Sequence, residues 1–305
     1  MNIHFSQIPA TVTFIDHNAG SESKFASEYL FTNAVTSFQF KMSVTSLRKY
    51  LRLVSIARCI GAVGLVQNLA VHADGWNDTG QTACYTGTGI VVACSLAATD
   101  GRYGRDAAAL VGVLPKVGAG TGGFDFTKLA NNGTPLPAGA ALGSNATDWG
   151  CTLDNVTGLT WEVKTGTNTD LRYTGHTYTW YSTASNNGGF PGELGSDTCN
   201  GTLAAYSNQC NTANYVLAVN AAEMCGQSDW RLPTVTELQG IINFGAVFPL
   251  GIDPSYFPNS QSYFYRTSNS WAPAPWFAWL VAGDGSVFPD SKTYGLYVRL
   301  VRGGK

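Results

Sequence analysis

The alternation of large and polar side chains predicts two short strands in the middle of the chain. Residues 159–163 read Leu, Thr, Trp, Glu, Val, and residues 177–181 read Thr, Tyr, Thr, Trp, Tyr. A period of two puts every second side chain on the same face of a half-buried strand. A loop rich in Gly, Ser and Asn follows over 186–209.

Two helices are expected after this loop. Apolar residues spaced at i, i+4, i+7 and i+8 predict a helix over 212–225. Thr234 and Glu237 form the pattern of a capping box, in which each side chain takes the backbone amide of the other, and they predict the start of a second helix. The apolar face and the end of that helix are assigned to Leu238, Ile241, Ile242 and Gly245.

The C-terminal region predicts an antiparallel sheet. Residues 278–282 and 286–288 flank Gly-Asp-Gly at 283–285, and Asp-Gly supplies the positive φ values that a tight hairpin turn needs. Residues 297–302 alternate again. Two helices followed by antiparallel strands indicate an α+β domain, which we place at 148–305.

The first half of the chain predicts less regular structure. Residues 74–147 are dominated by Gly, Ala, Thr and Asn and indicate an irregular, turn-rich segment with short strands near 90–93. Residues 42–73 resemble a secretory signal peptide, with a basic start, a short apolar run and small residues before a cleavage site after Ala73. An uncleaved anchor or an amphipathic helix is the alternative. Residues 1–41 carry no recognisable pattern, and translation starting at Met42 would leave them out.

Composition narrows the class of protein. Charged residues make up 12% of the chain, against about 25% in an ordinary soluble domain, whereas aromatic residues also reach 12%. The net charge of −2 offers no basic surface for phosphates, which argues against a nucleic-acid partner. Cleavage after Ala73 leaves 12 basic and 17 acidic residues, a net charge of −5, and no integral membrane segment is expected in that product.

Six cysteines follow Ala73, and an even number in an exported protein predicts three disulfides. Six cysteines permit fifteen connectivities. Short loops favour Cys84 with Cys94 and Cys199 with Cys210, which leaves Cys151 with Cys225. The chain has no Cys-x-x-Cys pair, so a zinc site is not expected.

Several motifs resemble the Lcl C-terminal domain family, named after the terminal domain of a Legionella collagen-like adhesin. The resemblance covers most of 78–304. The motifs are Trp230-Arg231-Leu232-Pro233-Thr234 before Glu237-Leu238, Tyr265-Arg266-Thr267-Ser268, Trp279 before Gly283-Asp284-Gly285, and Val298-Arg299-Leu300-Val301-Arg302-Gly303-Gly304.

The resemblance implies a C-type lectin-like fold in its formylglycine-generating-enzyme variant, with two helices and a twisted antiparallel sheet. It also implies binding of sulfated glycosaminoglycans, but this chain lacks a collagen-like repeat and its net charge after cleavage disfavours a polyanion. Formylglycine generation is not expected, because the enzyme needs a cysteine pair near the C-terminal sheet and no cysteine follows Cys225.

The expected function is a non-catalytic binding module for a surface glycan or protein, located in the periplasm, at the cell surface or outside the cell. Aromatic rings stack on sugars, so the candidate ligand contacts are Trp271 and Trp276, with Tyr265 and Arg266 beside them. A homo-oligomer is compatible with this role. Structural roles are assigned to Arg231, Thr234, Glu237, Arg299 and Arg302.

Other chemistry has weaker support in the sequence. His176 follows a turn and lacks a nucleophile motif such as Gly-x-Ser-x-Gly. No cofactor is expected, although Asp284 and Asp290 offer oxygen ligands of the kind that calcium prefers. The alternatives to a binding module are an envelope hydrolase using Glu162 and Asp170, and a purely structural surface protein.

Overall fold

The computed structural model describes residues 77–86, 88, 90–93, 100–246 and 251–304, together with two strands near the start of the chain. The chain divides into a unit of residues 1–69 and a unit of residues 70–305. In the first unit, strand β1 (Val12–Ile15) pairs antiparallel with β2 (Glu22–Phe25). The predicted signal peptide at 42–73 and its cleavage site lie outside the described residues.

The second unit is built on a five-stranded antiparallel sheet. Its strands are β5 (Phe126–Ala130), β6 (Pro135–Leu136), β7 (Trp149–Asp154), β8 (Leu159–Glu162) and β12 (Val301–Gly303), in the order β12-β8-β7-β5-β6. A small hairpin precedes it, with β3 at Cys84–Tyr85 and β4 at Val91–Val92, where short strands are predicted.

A three-stranded antiparallel sheet comes from the C-terminal region. Its strands are β9 (Tyr265–Ser270), β10 (Phe277–Val281) and β11 (Val287–Ser291), in the order β11-β10-β9. The predicted hairpin at Gly-Asp-Gly is confirmed: Gly285 has φ of 84°, and the Asp284 carboxylate accepts from the Ser286 amide at 2.9 Å. The α+β class predicted from the sequence is therefore confirmed, while the C-type lectin-like assignment stays a prediction.

The helices are short. They are α1 (Gly104–Leu110), α2 (Thr212–Ala221) and α3 (Val235–Gln239), with 3-10 turns at Asp100–Arg102, Ser185–Asn187, Ala204–Tyr206 and Met224–Gly226. Helix α2 ends before the predicted 225 because Glu223 and Cys225 both adopt positive φ, 47° and 54°. None of the helices in the described residues is long and apolar enough to cross a membrane.

The segment expected to be irregular contains strand β5, which lies between β6 and β7 in the main sheet. Lys128 in the middle of β5 obscures its apolar pattern, although the side chain is buried against the Trp149 ring at 3.7 Å. By contrast, the sequence predicts a strand at 177–181 where the structure has no regular strand, so this prediction is wrong. Its residues form isolated bridges to three different segments, so no regular ladder develops.

Two adjacent residues, Leu300 just before β12 and Val301 at its start, lie in two different core clusters. Leu300 packs in a cluster with Trp230 and Tyr215, whereas Val301 packs with Trp161 in the other. Successive side chains of a strand point to opposite faces, so the sheet is covered by apolar residues on both sides.

Both predicted disulfides in the described residues are confirmed and lie in one of these clusters. Cys151–Cys225 spans 74 residues and Cys199–Cys210 spans 11. Closing loops of these lengths restricts the unfolded chain by about 4 and about 3 kcal/mol. Cys84 is also disulfide-bonded, and Cys94, its predicted partner, lies outside the described residues.

Candidate binding face

Strand β10 presents aromatic rings on its outer surface. Ala278 and Leu280 point into the core, at 0% and 1% exposure, so Phe277 and Trp279 alternate onto the other side and are half-buried. The loop before β10 adds Trp271, which is half-buried, and Trp276, which is 53% exposed.

These four rings are neighbours, and we call them the tryptophan face (Trp271, Trp276, Phe277 and Trp279). The Trp271 ring meets Phe277 edge-on at 5.7 Å and Trp279 at 6.4 Å, measured between ring centroids. Trp276 lies 6.5 Å from Phe277. The face therefore runs from an exposed indole on the loop to a half-buried one on the sheet.

A groove of about 660 Å³ begins where the tryptophan face ends. Trp279 forms part of its wall, and the rest comes from the start of α3 and from β9 and β11. The lining residues are Thr234, Val235, Thr236, Glu237, Asn269, Ser270, Trp279 and Val287. An aromatic surface thus adjoins a cleft to which Thr234, Thr236, Asn269 and Ser270 contribute hydroxyl and amide groups.

The capping box predicted at Thr234 is present and shapes one wall of the groove. The Thr234 hydroxyl accepts from the Glu237 amide at 3.2 Å, and Glu237 accepts from the Thr234 amide at 2.8 Å. Arg231 donates to both carboxylate oxygens of Glu237 at 2.8 and 2.7 Å. Asn269 ties this wall to β9 by accepting from the Val235 amide at 3.0 Å.

Glu237 is charged in this arrangement. Burial alone would raise the pKa of Glu237, but the hydrogen bonds from Arg231 and Thr234 outweigh burial and lower that pKa below its usual value. The charge in the groove is therefore paired rather than open to a ligand.

The loop at 182–192 lies against the loop that carries Trp276. A Cβ placed on Gly188, whose φ is 71°, would lie 3.5 Å from both Pro275 and Ser270. The structure therefore brings part of the Gly-, Ser- and Asn-rich loop predicted at 186–209 next to the loop that carries Trp271 and Trp276.

Lys292 connects the loop at 182–192 to the loop that carries Trp276. Its Nζ donates to the carbonyls of Asn187 and Phe190 at 2.7 and 2.8 Å and lies 4.0 Å from the Trp180 ring centre, while its amide donates to the Trp276 carbonyl at 2.9 Å. The side chain is fully buried. Burial, followed by the neighbouring Arg266 charge, lowers the pKa of Lys292 to about 8. The sequence gives no sign of this contact, because it joins residues about a hundred positions apart.

Two of the proposed ligand contacts do not lie on the surface. Tyr265 and Arg266 are 2% and 0% exposed, because the first residues of β9 pair with the buried end of β10. Arg266 donates to the carbonyls of Ser291 and Tyr294 at 2.7 and 2.5 Å. Burial lowers the pKa of Arg266 to about 10. The expectation that these two side chains meet a ligand is therefore corrected: both support the sheet beneath the face.

The remaining arginines of the shared motifs join strands and loops. Arg299 is fully buried and donates to the Glu162 carbonyl at 2.6 Å and to the Ser260 hydroxyl at 2.7 Å. Arg302 pairs with Asp229 at 2.5 Å. These contacts connect β12 and the residues before it to the rest of the domain.

A buried charged group, the Glu162 cluster (Glu162, Lys164 and Tyr215), lies in the interior. Lys164 contacts the Glu162 carboxylate at 2.7 Å, Tyr215 donates to the same oxygen, and the Leu300 amide donates to the other oxygen at 2.8 Å. Burial lowers the pKa of Lys164 to about 8 and raises the pKa of Tyr215 well above its usual value. Glu162, the carboxylate of the hydrolase alternative, is thus fully engaged and 0% exposed.

The other titratable candidates also have partners within the protein. Asp170, the second hydrolase candidate, accepts from the Arg172 amide at 2.8 Å. His176 is 4% exposed and contacts the Asn168 carbonyl at 3.1 Å, and burial lowers its pKa.

Two groups of residues carry side chains of the kinds that bind metal ions. Asp290 accepts from the Ser291 amide at 2.7 Å. The expectation of no cofactor, with calcium at Asp284 and Asp290 as the alternative, stays a prediction. One trio in the described residues, Asp197 with Cys199 and Cys210, has metal-like spacing, but its two cysteines form a disulfide and offer no thiolate.

Comparison with known proteins gives one match. The family model of the Lcl C-terminal domain matches residues 150–302. No curated protein and no solved structure matches the chain. The matched residues include the tryptophan face, the groove and both disulfides, whereas β5 and β6 extend the same main sheet from outside the match.

Proposed function

The chain belongs to the Lcl C-terminal domain family, and from this premise we propose that it is an exported, non-catalytic module that binds a surface glycan through the tryptophan face. Family membership supports a surface-associated binding module. The glycan, the location of the binding site and the absence of catalysis are our proposal. A surface protein is the alternative ligand, and it would leave the glycan array described below silent.

The tryptophan face is the observation that carries this proposal. A tryptophan 53% exposed on a loop, continued by three further rings, offers flat apolar area that loses little conformational entropy on binding. The adjacent groove supplies hydroxyl and amide groups from Thr236 and Asn269. Apolar ring faces beside hydrogen-bonding groups match the two kinds of surface that a sugar presents.

Export is supported by the disulfides. Cys151–Cys225 and Cys199–Cys210 favour an oxidising compartment, where such bonds persist. Periplasmic, cell-surface and extracellular locations all satisfy this condition.

Absence of catalysis is supported by the state of the hydrolase candidates. Glu162 is enclosed by Lys164, Tyr215 and the Leu300 amide, so it lacks the access to substrate and water that a catalytic carboxylate needs.

A glycan array tests the proposal. We expect the full chain to bind a restricted set of glycans, and Trp276→Ala to reduce that binding about tenfold or more, because truncating an exposed tryptophan anchor removes a dominant contact. Tyr103→Ala is the matched control, since Tyr103 is 55% exposed and belongs to the N-terminal segment. Silence across the array, equal loss in both variants, or turnover of an envelope polysaccharide would contradict the proposal.

A further inference from the structure

In the part of the chain after Ala73 that the structure describes, the cationic side chains make contacts within the protein. Of the twelve Lys and Arg residues after Ala73, all but Lys305 lie in the described residues. Eight donate to backbone carbonyls, among them Arg266, Lys292 and Arg299. Two others, Lys164 and Arg302, pair with carboxylates, as Arg231 also does.

The eleventh cation, Arg102, stacks 5.2 Å from the centre of the neighbouring Tyr103 ring. This use of cations differs from that of a protein that binds anionic polymers, where several Lys and Arg side chains extend together into solvent. Cations that hold carbonyls and carboxylates cannot turn to an external anion without breaking contacts that organise the fold.

The groove itself is nearly uncharged. Its lining contains one charged side chain, Glu237, and within the described residues no lysine or arginine lines it. Arg231 lies close by, but its guanidinium is paired with the Glu237 carboxylate at 2.7 Å. An anionic group placed in the groove would approach a carboxylate and find no cation available, which is unfavourable.

The groove's other polar groups suit an uncharged partner. Thr236 is exposed at the start of α3, and Asn269 is exposed on β9. Hydroxyl and amide groups donate to and accept from sugar hydroxyls, while Trp279 provides a ring for the apolar face of a sugar.

From these observations we propose that the ligand of the tryptophan face and its groove is an uncharged sugar chain, not a sulfated or otherwise anionic one. The inference rests on the proposed glycan-binding function and specifies its ligand class. Recognition then depends on ring stacking and neutral hydrogen bonds, so affinity is expected to change little with ionic strength.

The test is a titration of the full chain, by calorimetry at 50 and 500 mM NaCl, with two groups of probes. The neutral probes are hexasaccharides of β-1,4-glucose, α-1,4-glucose and β-1,4-N-acetylglucosamine, and the anionic probes are heparin and dextran sulfate. We expect binding of at least one neutral probe, with less than about a twofold change in Kd between the two salt concentrations.

Three variants locate the binding. Trp276→Ala is expected to weaken neutral-probe binding about tenfold or more, Trp276→Tyr to retain most of it because a ring remains, and Tyr103→Ala to leave it unchanged. A fold defect caused by Trp276→Ala would appear as a lower unfolding midpoint, which Trp276→Tyr does not share. Neutral binding that all three variants leave unchanged would overturn the assignment to this face.

The outcomes separate the two proposals. Heparin or dextran sulfate binding that weakens steeply between 50 and 500 mM NaCl, with no neutral binding, would overturn the uncharged ligand class while leaving a glycan-binding module intact. Absence of binding to every probe would overturn the ligand class for these linkages, and a silent glycan array would overturn the proposed function itself.

Discussion

The tryptophan face and the Glu162 cluster use aromatic and charged side chains in opposite ways. In the face, an indole 53% exposed meets solvent beside a groove whose one charge is paired. In the cluster, Glu162 and Lys164 are 0% and 3% exposed and are enclosed by Tyr215 and the sheet. The Glu162 cluster thus places its charges in the interior, whereas the tryptophan face presents an aromatic ring to solvent.

The difference separates stability from binding. Removing one member of a buried ion pair leaves the other charge without compensation, and the whole cost appears in folding. Removing an exposed ring costs folding little, because its area is already in contact with water. Substitutions in the two regions should therefore affect different measurements, and the following predictions test that separation.

The largest expected effect is that of Glu162→Ala. It leaves the Lys164 ammonium and the Leu300 amide without their carboxylate, so we expect the free energy of unfolding to fall by about 3–5 kcal/mol. Urea unfolding followed by tryptophan fluorescence measures this change.

Glu193→Ala is the control for that substitution, because Glu193 is exposed on the loop after the 3-10 turn at Ser185–Asn187. Its effect should stay within about 0.5 kcal/mol. If the two variants lose equal stability, the Glu162 cluster does not have the structural role assigned to it.

The second prediction concerns pH and Lys292. The pKa of Lys292 is about 8 in the folded protein, whereas an unfolded lysine keeps its proton up to about pH 10.4. Between these values the unfolded state binds more protons, so the free energy of unfolding should rise with pH, by on the order of 2 kcal/mol for this lysine.

Urea unfolding at pH 7.5, 8.5 and 9.5 measures that rise in the wild type and in Lys292→Met. Lys164 contributes to both proteins, so the difference in slope isolates Lys292. Burial raises the pKa values of Tyr178 and Tyr215. Their deprotonation in the unfolded state lowers the free energy of unfolding only above about pH 10, which is outside the range of this experiment. Identical slopes would contradict a buried, charged Lys292.

The sequence predicts those elements whose signals are local. The capping box at Thr234 and the Gly-Asp-Gly hairpin are both present, because each depends on a few consecutive residues. The sequence does not indicate strand β5, because Lys128 occupies a buried position that the Trp149 ring of the neighbouring strand β7 covers. Helix α2 was predicted too long because the positive φ at Cys225 accompanies a disulfide to a strand 74 residues away.

The candidate site shows the same limit. Trp271 and Trp276 were chosen from a proline-rich loop, and both lie on the tryptophan face. Tyr265 lies two residues after the exposed Tyr263, but strand pairing places both Tyr265 and Arg266 in the core. The Lys292 contacts with Asn187 and Phe190 join segments that are remote in the sequence, so no local sequence pattern predicts them.

A third, smaller effect is expected at the wall of the groove. Glu237→Ala removes both the capping box and the partner of Arg231, and we expect a loss of about 1–2 kcal/mol in unfolding free energy. Glu237→Gln keeps a side chain able to complete the box and should cost less than about 1 kcal/mol. An equal loss in both variants would show that the ion pair, not the cap, stabilises this wall.

The smallest effect on stability, and the largest on binding, is expected for Trp276→Ala. The Trp276 ring is 53% exposed, and its backbone carbonyl, which accepts from the Lys292 amide, is retained in the variant. Unfolding free energy should change by about 0.5 kcal/mol or less, while glycan affinity falls about tenfold or more. Urea unfolding and calorimetric titration of one preparation measure both quantities. A variant that loses stability and affinity in proportion would show that the tryptophan face supports the fold, as the Glu162 cluster does, and the contrast between the two regions would fail.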